Sequence, residues 1–212
     1  MKTDDLIAAL AADNLADTSP LERTIAIAAL IGALIAGVAF LLSLGARPDI
    51  EAAIATIRFP FKFVVTLVLT VTAALLLVRL AKPGAFAVRQ WRSMWAAPAL
   101  ILGGVLIEML VLPASVWRDN ILGSNALMCL AAIPLLSIGP LAALLFALKR
   151  GAPVQPRLAG AVCGLLSASV AATLYALHCT DDSPLFVVVW YSLAIGAVTV
   201  VAAGLGGRLL RW

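Results

Sequence analysis

The chain has 212 residues, of which 63% are hydrophobic and only 12% are charged, and its mean hydropathy is +1.08. Average soluble domains are about a quarter charged, so this chain has too few polar residues to cover a soluble globule of its size. The composition excludes an ordinary soluble enzyme or a disordered regulator and indicates a membrane protein. The net charge of +4 does not indicate direct nucleic-acid binding, because the basic residues are spread along the chain.

The first 22 residues differ from the rest, since they hold five of the chain's 11 carboxylates. Thr3 can cap a helix whose first turn carries Asp4 and Asp5, which the helix dipole favours there. Apolar residues follow on one arc, at Leu6, Ile7, Leu10 and Ala11. This spacing predicts a short amphipathic segment over residues 1–19, marginal by itself and suited to a basic protein partner. The alternatives are an idle solvated tail and a helix lying on the bilayer, and the acidic polar face disfavours the second.

Six apolar runs follow in the second predicted unit, residues 20–212. They are Ile25 to Leu44, Phe63 to Val78, Trp95 to Leu112, Leu127 to Leu148, Leu158 to Leu177 and Leu185 to Leu205. A helix needs about 20 residues to cross a hydrocarbon core about 30 Å thick. The second run reaches that length when Phe59 to Lys62 joins it, with the lysine extending to the interface. The predicted fold class is therefore all-α, a polytopic integral membrane protein with six transmembrane helices.

Lysine and arginine concentrate in alternate connections, which orients the bundle in the lipid bilayer. With the amino terminus inside, the inner segments carry eleven of these residues and the outer ones four. The outer four are Arg47, Arg58, Lys62 and Arg118. Both termini are therefore expected in the cytoplasm.

The few polar groups that could carry chemistry gather on the outer face. They are Glu108 near the end of the third span, Cys129 near the end of the fourth, and His178, Cys179, Asp181 and Asp182 in the loop between the fifth and the sixth. A carboxylate within a span is a candidate functional group. Ser183 and Pro184 also predict the start of the sixth helix, where the two aspartates suit the helix dipole, so a purely structural role is the alternative.

The cysteines divide by side of the membrane, since Cys129 and Cys179 share the outer layer while Cys163 lies near the inner end of the fifth span. In an oxidising exterior the outer pair can form a disulfide, or it can bind a thiophilic metal together with His178. The nearby Glu108, His178 and Asp181 are expected either to lower a thiol pKa or to complete the coordination shell of a metal. Neither outcome is forced, because no C-x-x-C motif is present and two small apolar fillers are the alternative.

Two further patterns predict how the helices pack and bend. Gly160 and Gly164 flank Cys163 in a small-xxx-small pattern, which is typical of close helix packing in membranes. Pro134 and Pro140 predict a kink in the fourth span. We assign no chemistry to Cys163.

Five stretches of the chain resemble the six-span membrane anti-sigma factors of the NrsF type, the negative regulators of sigma F. They are MKTDDLIAALA at the start, IPLLSIGPL from Ile133, RGAPVQPRLAGA from Arg150, HCTDDSPLFVVVWY from His178 and RLLRW at the end. The HC-x-DDSPLF stretch is the most specific of these. The resemblance implies a regulator rather than an enzyme, which holds an extracytoplasmic-function sigma factor at the bacterial inner membrane. Oxidative or heavy-metal stress would release that sigma factor.

The resemblance also implies roles for particular residues. The amino-terminal segment would bind the sigma factor, and the candidates within it are Asp4, Asp5, Leu6, Ile7, Leu10 and Asp13. By motif, the periplasmic-side cysteines implicated in stress sensing are Cys129 and Cys179. His178 adjoins them, and Glu108, Asp181 and Asp182 form a supporting polar cluster. No resident cofactor is expected, and a soft metal ion bound transiently by the two thiols is the one open alternative.

Two other classes are compatible with a small polytopic protein. A proton- or metal-coupled transporter would use Glu108, His178 and the aspartate pair as a relay, yet the middles of the spans offer only serine and threonine. A membrane thiol oxidoreductase would need a C-x-x-C pair, which this sequence lacks.

Overall fold

The computed structural model describes residues 3, 21–81, 88–151 and 153–211. Within these ranges the chain forms helices and short connections, without any strand. Six of the helices are long and apolar enough to cross a membrane, which confirms the predicted fold class. The predicted amphipathic segment, residues 1–19, lies outside the described ranges except for Thr3, and all of its sigma-binding candidates lie outside them.

We number the six membrane-length helices α1 to α6 in chain order. They are Leu21–Ser43 (α1), Arg58–Leu80 (α2), Arg89–Val111 (α3), Ala126–Leu148 (α4), Pro156–Tyr175 (α5) and Pro184–Leu209 (α6). A turn at Met94 and Trp95 interrupts α3, and α6 includes one stretch of π-helix, Val187–Tyr191. Short helices occupy the connections after α1 and α3, at Ile50–Ile54, Ala114–Val116 and Trp117–Leu122. Following the predicted orientation, we call this end of the bundle outer and the opposite end inner.

The helix α2 begins at Arg58, so that the stretch from Phe59 to Lys62 joins the span as predicted. Lys62, however, does not extend to the interface. Its side chain is 1% exposed and pairs with Asp182 inside the outer end of the bundle. The prediction of an interfacial lysine is therefore wrong, because a carboxylate within the protein compensates the charge and makes its burial tolerable.

The helix α5 lies at the centre of the bundle, where it packs against α6, α4 and α2 and more lightly against α1. Alanines make this central position possible, and Ala168, Ala171 and Ala172 are completely buried. The most apolar stretch of α5 is 67% buried, whereas that of α3 is 17% buried. The third helix is therefore a peripheral element, held by α2 and the start of α6.

At the inner end, α5 and α6 meet backbone to backbone. A Cβ atom on Gly160 would lie 2.4 Å from the carbonyl oxygen of Ala202 and 2.7 Å from Cα of Gly206. One on Gly164 would lie 2.5 Å from Cβ of Ala202. The prediction that this pattern packs helices is confirmed, and Cys163 between the glycines is buried in an inner core with Leu77 and Leu148.

The helix α4 runs without interruption through Pro134 and Pro140, and the kink predicted at these prolines stays a prediction. Helix α1 packs closely here, since a Cβ atom on Gly32 would lie 2.5 Å from Cα of Pro140. The contacts of α1 follow one narrow stripe of buried residues, namely Ile25, Ala28, Gly32, Ala36 and Phe40. Most of the other large apolar side chains of α1 are exposed and are expected to face the bilayer.

Candidate functional site

The loop between α5 and α6 holds four of the predicted site residues, His178, Cys179, Asp181 and Asp182. It is well buried for a connection, with Cys179 0% exposed and the side chain of Asp182 15% exposed. Its polar groups contact the chain after α1, the start of α2 and the start of α4. The loop therefore links the outer ends of several helices.

Asp182 belongs to an ion network that we define as Arg47, Asp49, Lys62 and Asp182. Lys62 pairs with Oδ1 of Asp182, and Arg47 Nη1 donates to Oδ2 at 2.8 Å. Arg47 also donates to both carboxylate oxygens of Asp49, from Nε and Nη2, at 2.7 Å each. Two cations thus balance two carboxylates, which compensates for the burial of Arg47 and Lys62. The ring of Phe59 lies 5.0 Å from Lys62 Nζ and 5.6 Å from Arg47 Cζ, within cation–π range.

The contact between Arg47 and Asp49 keeps both of these groups in their charged forms. The paired hydrogen bonds from Arg47 lower the pKa of Asp49, and the same contact raises the pKa of Arg47. Both groups therefore stay charged at neutral pH.

Both cations of the network also hold the backbone of Cys179. Lys62 Nζ donates to its carbonyl oxygen at 2.8 Å, and Arg47 Nη1 donates to the same oxygen at 3.3 Å. The backbone N–H of Arg47 donates to the carbonyl of Leu177 at 3.0 Å. His178 Nδ1 lies 3.1 Å from the carbonyl oxygen of Gly45. Residues 177 to 179 are thus tied, one after another, to the chain that follows α1.

Asp181 stabilises the start of α4. Its Oδ2 accepts from the backbone N–H of Ser124 at 3.0 Å and from that of Asn125 at 2.8 Å. Asn125 is the residue that precedes the first turn of α4, so the carboxylate satisfies donors that a helix start leaves free. The predicted role of Asp181 and Asp182 at the dipole of the sixth helix is therefore corrected, because both side chains bind elsewhere.

The start of α6 has two caps. As predicted, Ser183 is the capping residue and Pro184 the first helical one, and Ser183 Oγ accepts from the N–H of Leu185 at 3.2 Å. Glu108 of α3 adds to this, since its Oε2 accepts from Ser183 Oγ at 2.8 Å and from the N–H of Leu185 at 3.1 Å. Its Oε1 lies 3.2 Å from Arg58 Nη2. Glu108 therefore fastens α3 to the start of α6.

Cys129 and Cys179 are free thiols and are both 0% exposed. They belong to one outer core, which also contains Tyr175, Phe186 and Tyr191. The thiol of Cys179 donates to the carbonyl oxygen of Asp181 at 3.7 Å. The buried Tyr191 hydroxyl interacts electrostatically with both thiols. It makes no well-aligned hydrogen bond to any group of the described ranges. The structure thus brings the two predicted sensing cysteines into one buried cluster.

The expected lowering of a thiol pKa is wrong for Cys179. Burial raises its pKa, and this effect outweighs the favourable charge of Lys62. The thiol is therefore protonated at neutral pH, whereas the thiolate is the reactive form. A reaction at Cys179 requires deprotonation or local opening first.

The third predicted sensing residue, His178, has another environment. Its ring lies 6.1 Å from the ring of Tyr175 and faces Gly45 through Nδ1. In the described part of the chain, no group of three or more His, Cys, Asp or Glu side chains is arranged to hold a metal ion. The predicted transient metal is thus left with the two thiols as ligands and stays a prediction.

Arg47 and Lys62 are the site residues that sequence reasoning missed. Both were expected only as outer cations, and Lys62 as an interfacial one. A signal for the ion pair was present in the sequence. Lys62 lies in an apolar run, and Asp181 and Asp182 lie on the same predicted face of the bundle.

These features define a class of protein: a polytopic helical membrane protein that contains a buried ion network and a pair of free thiols at its outer end. Residues 10–212 match the family model described as negative regulator of sigma F, and the chain belongs to that family. It is 36% identical to the anti-sigma-F factor NrsF of Caulobacter vibrioides (strain NA1000 / CB15N) and 33% identical to the probable anti-sigma-F factor NrsF of Azospira oryzae. Each alignment covers 100% of both proteins.

The resemblance stated from five sequence stretches is therefore confirmed. Negative regulation of a sigma factor is not an enzymatic role. No solved structure matches the chain.

Proposed function

We propose that this chain is an inner-membrane anti-sigma factor that binds an extracytoplasmic-function sigma factor in the cytoplasm and releases it when Cys129 and Cys179 react. The family match over nearly the whole chain supports the negative role, as do the names of the two relatives. The observation that carries the sensing step is the burial of both thiols in one core at the outer end of the bundle.

The amino-terminal segment binds the sigma factor in this proposal. Leu6, Ile7 and Leu10 form its apolar arc, and the acidic residues Asp4, Asp5 and Asp13 steer a basic surface of the partner. Both termini are then cytoplasmic, in agreement with the distribution of lysine and arginine.

The signal is a reaction of the two outer thiols. A peroxide oxidises them to a disulfide, in which the two thiols give up two protons and two electrons and the peroxide leaves as two waters. A soft metal ion such as cadmium instead displaces the two protons and bridges two thiolates. Either event joins α4 to the loop before α6 and changes their relative position.

The energy required is modest. Taking the partner from about 99% bound to about 1% bound needs about 5.5 kcal/mol of differential affinity between the two states. A metal bridged by two thiolates, or a disulfide that fits one state only, can supply that difference.

The test is co-purification of the full chain with its sigma factor, from membranes before and after treatment with hydrogen peroxide or cadmium. Cys129→Ser and Cys179→Ser should each keep the sigma factor bound and abolish its release. Cys163→Ser is the matched control, since that thiol is equally buried but lies in the inner core, and it should respond like the parent. Normal release from both outer variants would show that the signal enters elsewhere.

The binding step has its own test. Leu6→Asp, or deletion of residues 2–16 with the bundle still inserted, should free the sigma factor and make sigma-dependent transcription constitutive. Retained repression in the deletion would assign the binding to the inner loops instead.

A further inference from the structure

We propose that Arg47 and Lys62 are positioning residues for the Cys179 backbone, which Arg47 holds to the chain after α1 and Lys62 holds to α2. A reaction at Cys179 then reaches the amino-terminal segment through Arg47 and α1. The inference rests on the proposed function and names the regulation of that same site. It assigns the transmission to the first helix, whose inner end at Leu21 adjoins the proposed sigma-binding segment.

The connection between α1 and Arg47 is short. The N–H groups of Leu44 and Gly45 both donate to the carbonyl of Phe40 at 2.9 Å. Gly45 has a φ of +68°, the left-handed conformation that closes a helix end and that glycine adopts readily. Arg47 follows two residues later, so it lies close to the outer end of α1.

Beyond that point, three consecutive loop residues contact this short connection. Leu177 accepts from the N–H of Arg47, His178 faces the carbonyl of Gly45, and Cys179 accepts from the Arg47 side chain. Lys62 holds the same Cys179 carbonyl from α2. Because Arg47, Lys62 and Cys179 are buried, the contacts among them are worth more than they would be in water, and losing one leaves a costly unpaired group.

The sulfur and the carbonyl held by the cations belong to the same residue. A bond from the Cys179 sulfur to Cys129 or to a metal reorients the residue and pulls its carbonyl against the hold of Arg47 and Lys62. When a metal binds, the Cys179 thiolate also offers Lys62 a second anion beside Asp182, and Lys62 is the cation that acts on this sulfur. Oxidation and metal binding therefore weaken the same contacts.

The helix α1 is suited to respond, because it packs against α4 and more lightly against α5 and has no other extensive helix contact in the described ranges. Its most apolar stretch is 28% buried, compared with 67% in α5, and its contacts follow the single stripe through Gly32 and Phe40. Loss of the outer attachment leaves that stripe as the main restraint on α1. The helix can then shift against α4 and carry the segment before Leu21 with it.

The experiment measures sigma factor co-purified per molecule of full-length chain, from membranes without any stress. The main variant combines Lys62→Met with Asp182→Asn, which removes the Lys62 donor to Cys179 and the carboxylate that binds Arg47 Nη1 beside it. A cation and an anion are lost together and Arg47 keeps Asp49 as its partner, so no buried charge is left unpaired. We expect about a tenfold loss of bound sigma factor and no further loss on treatment with hydrogen peroxide. The same loss is expected when Cys179→Ser is added, because the attachment acts after the thiol.

Three comparisons separate this effect from misfolding. Alkylation of Cys129 and Cys179 in the double variant should be as slow as in the parent, which shows that the outer core is intact. The single substitution Lys62→Arg keeps the cation and should bind the sigma factor like the parent. Arg47→Gln breaks the same attachment from the other side and decides the question if the double variant does not accumulate. Arg118→Gln removes an outer cation that is exposed and should behave like the parent.

Parental binding and parental release in both the double variant and Arg47→Gln would overturn the inference. That result leaves the proposed function intact if Cys129→Ser and Cys179→Ser still block release. If the parent chain binds no sigma factor, or if the cysteine variants release it normally, the proposed function itself fails. The two failures are thus distinguishable.

Discussion

The two ends of the bundle are held together by different kinds of contact. At the outer end, charged side chains cross from helix to helix, as Lys62 does to Asp182 and Glu108 to Ser183. At the inner end, the backbones of α5 and α6 meet at Gly160 and Gly206 without polar side chains between them. Charged contacts depend on protonation and on neighbouring reactions, whereas close-packed backbones do not. The outer end is therefore suited to receive a chemical signal and the inner end to keep the helices together.

The cations differ in the same way. At the outer end Arg47 and Lys62 are buried, while the inner cations of the described ranges are exposed, namely Arg23, Arg79, Arg89, Arg92, Lys149, Arg150, Arg157, Arg208 and Arg211. Three of the four outer cations pair with carboxylates. The paired outer cations therefore stabilise contacts within the protein.

The strongest test of this comparison is all-or-none and concerns which end faces the cytoplasm. Reporter fusions after Asp17, Arg89, Pro153 and Trp212 should read cytoplasmic, and fusions after Ala53, Asn120 and Thr180 should read external. Alkaline phosphatase and a fluorescent protein give opposite signals at each site and control for expression. An external carboxyl terminus would reverse the two ends and remove the sigma-binding proposal.

The next largest effect is expected at the inner end. Gly160→Val should destabilise the bundle by about 3 kcal/mol or more, because its Cβ meets backbone atoms of α6 that cannot rotate away. Thermal unfolding in detergent measures the loss. Gly204→Ala on α6 is the matched control, since a Cβ there has no neighbour within 4 Å, and its unfolding temperature should equal or exceed that of the parent. Equal losses in both variants would contradict the close packing of α5 on α6.

At the outer end, Glu108→Ala should destabilise the protein by about 2 to 3 kcal/mol. Two hydrogen bonds to a buried carboxylate are lost, at about 1 to 1.5 kcal/mol each. Arg58 adds little, because its side chain is 43% exposed. The same unfolding measurement applies, with Glu51→Gln as the control, since Glu51 is exposed. An unchanged unfolding temperature in Glu108→Ala would show that Ser183 alone caps α6.

The helices of this protein are largely predictable from sequence, because bilayer thickness sets a length that the six apolar runs meet. The joint at Phe59 to Lys62 is an example, since only its inclusion brings the second run to spanning length. The start of α6 is predictable too, because Ser183 and Pro184 act locally. Local rules of this kind need no knowledge of which helices are neighbours.

The partners at the outer end are not predictable in this way. Lys62 alone at the end of an apolar run predicts an interfacial side chain, while its partner Asp182 lies 120 residues away in sequence. The same holds for Asp181, whose partners are 56 and 57 residues away. Sequence places these groups on one face, but helix packing decides which of them meet and how deeply Cys179 is buried.

The smallest expected effect is a difference in acid sensitivity at the exposed edge of the ion network. Arg47 lowers the pKa of Asp49 from its ordinary value of 3.8, so the folded protein binds this proton less readily than the unfolded chain. The contribution of Asp49 to stability is therefore present above that value and is lost as the pH falls through the lower pKa of the folded state. Unfolding temperatures measured from about pH 5 to about pH 3 should fall more steeply for the parent than for Asp49→Asn. Other carboxylates titrate in both proteins, so the difference between the two curves isolates Asp49.

Salt at about 1 M, where the Debye length is about 3 Å, should shrink that difference because the Asp49 side of the pair is exposed. Parallel curves at low salt would show that the Arg47 to Asp49 contact contributes nothing to stability, and that the buried attachment through Asp182 and Lys62 acts without it.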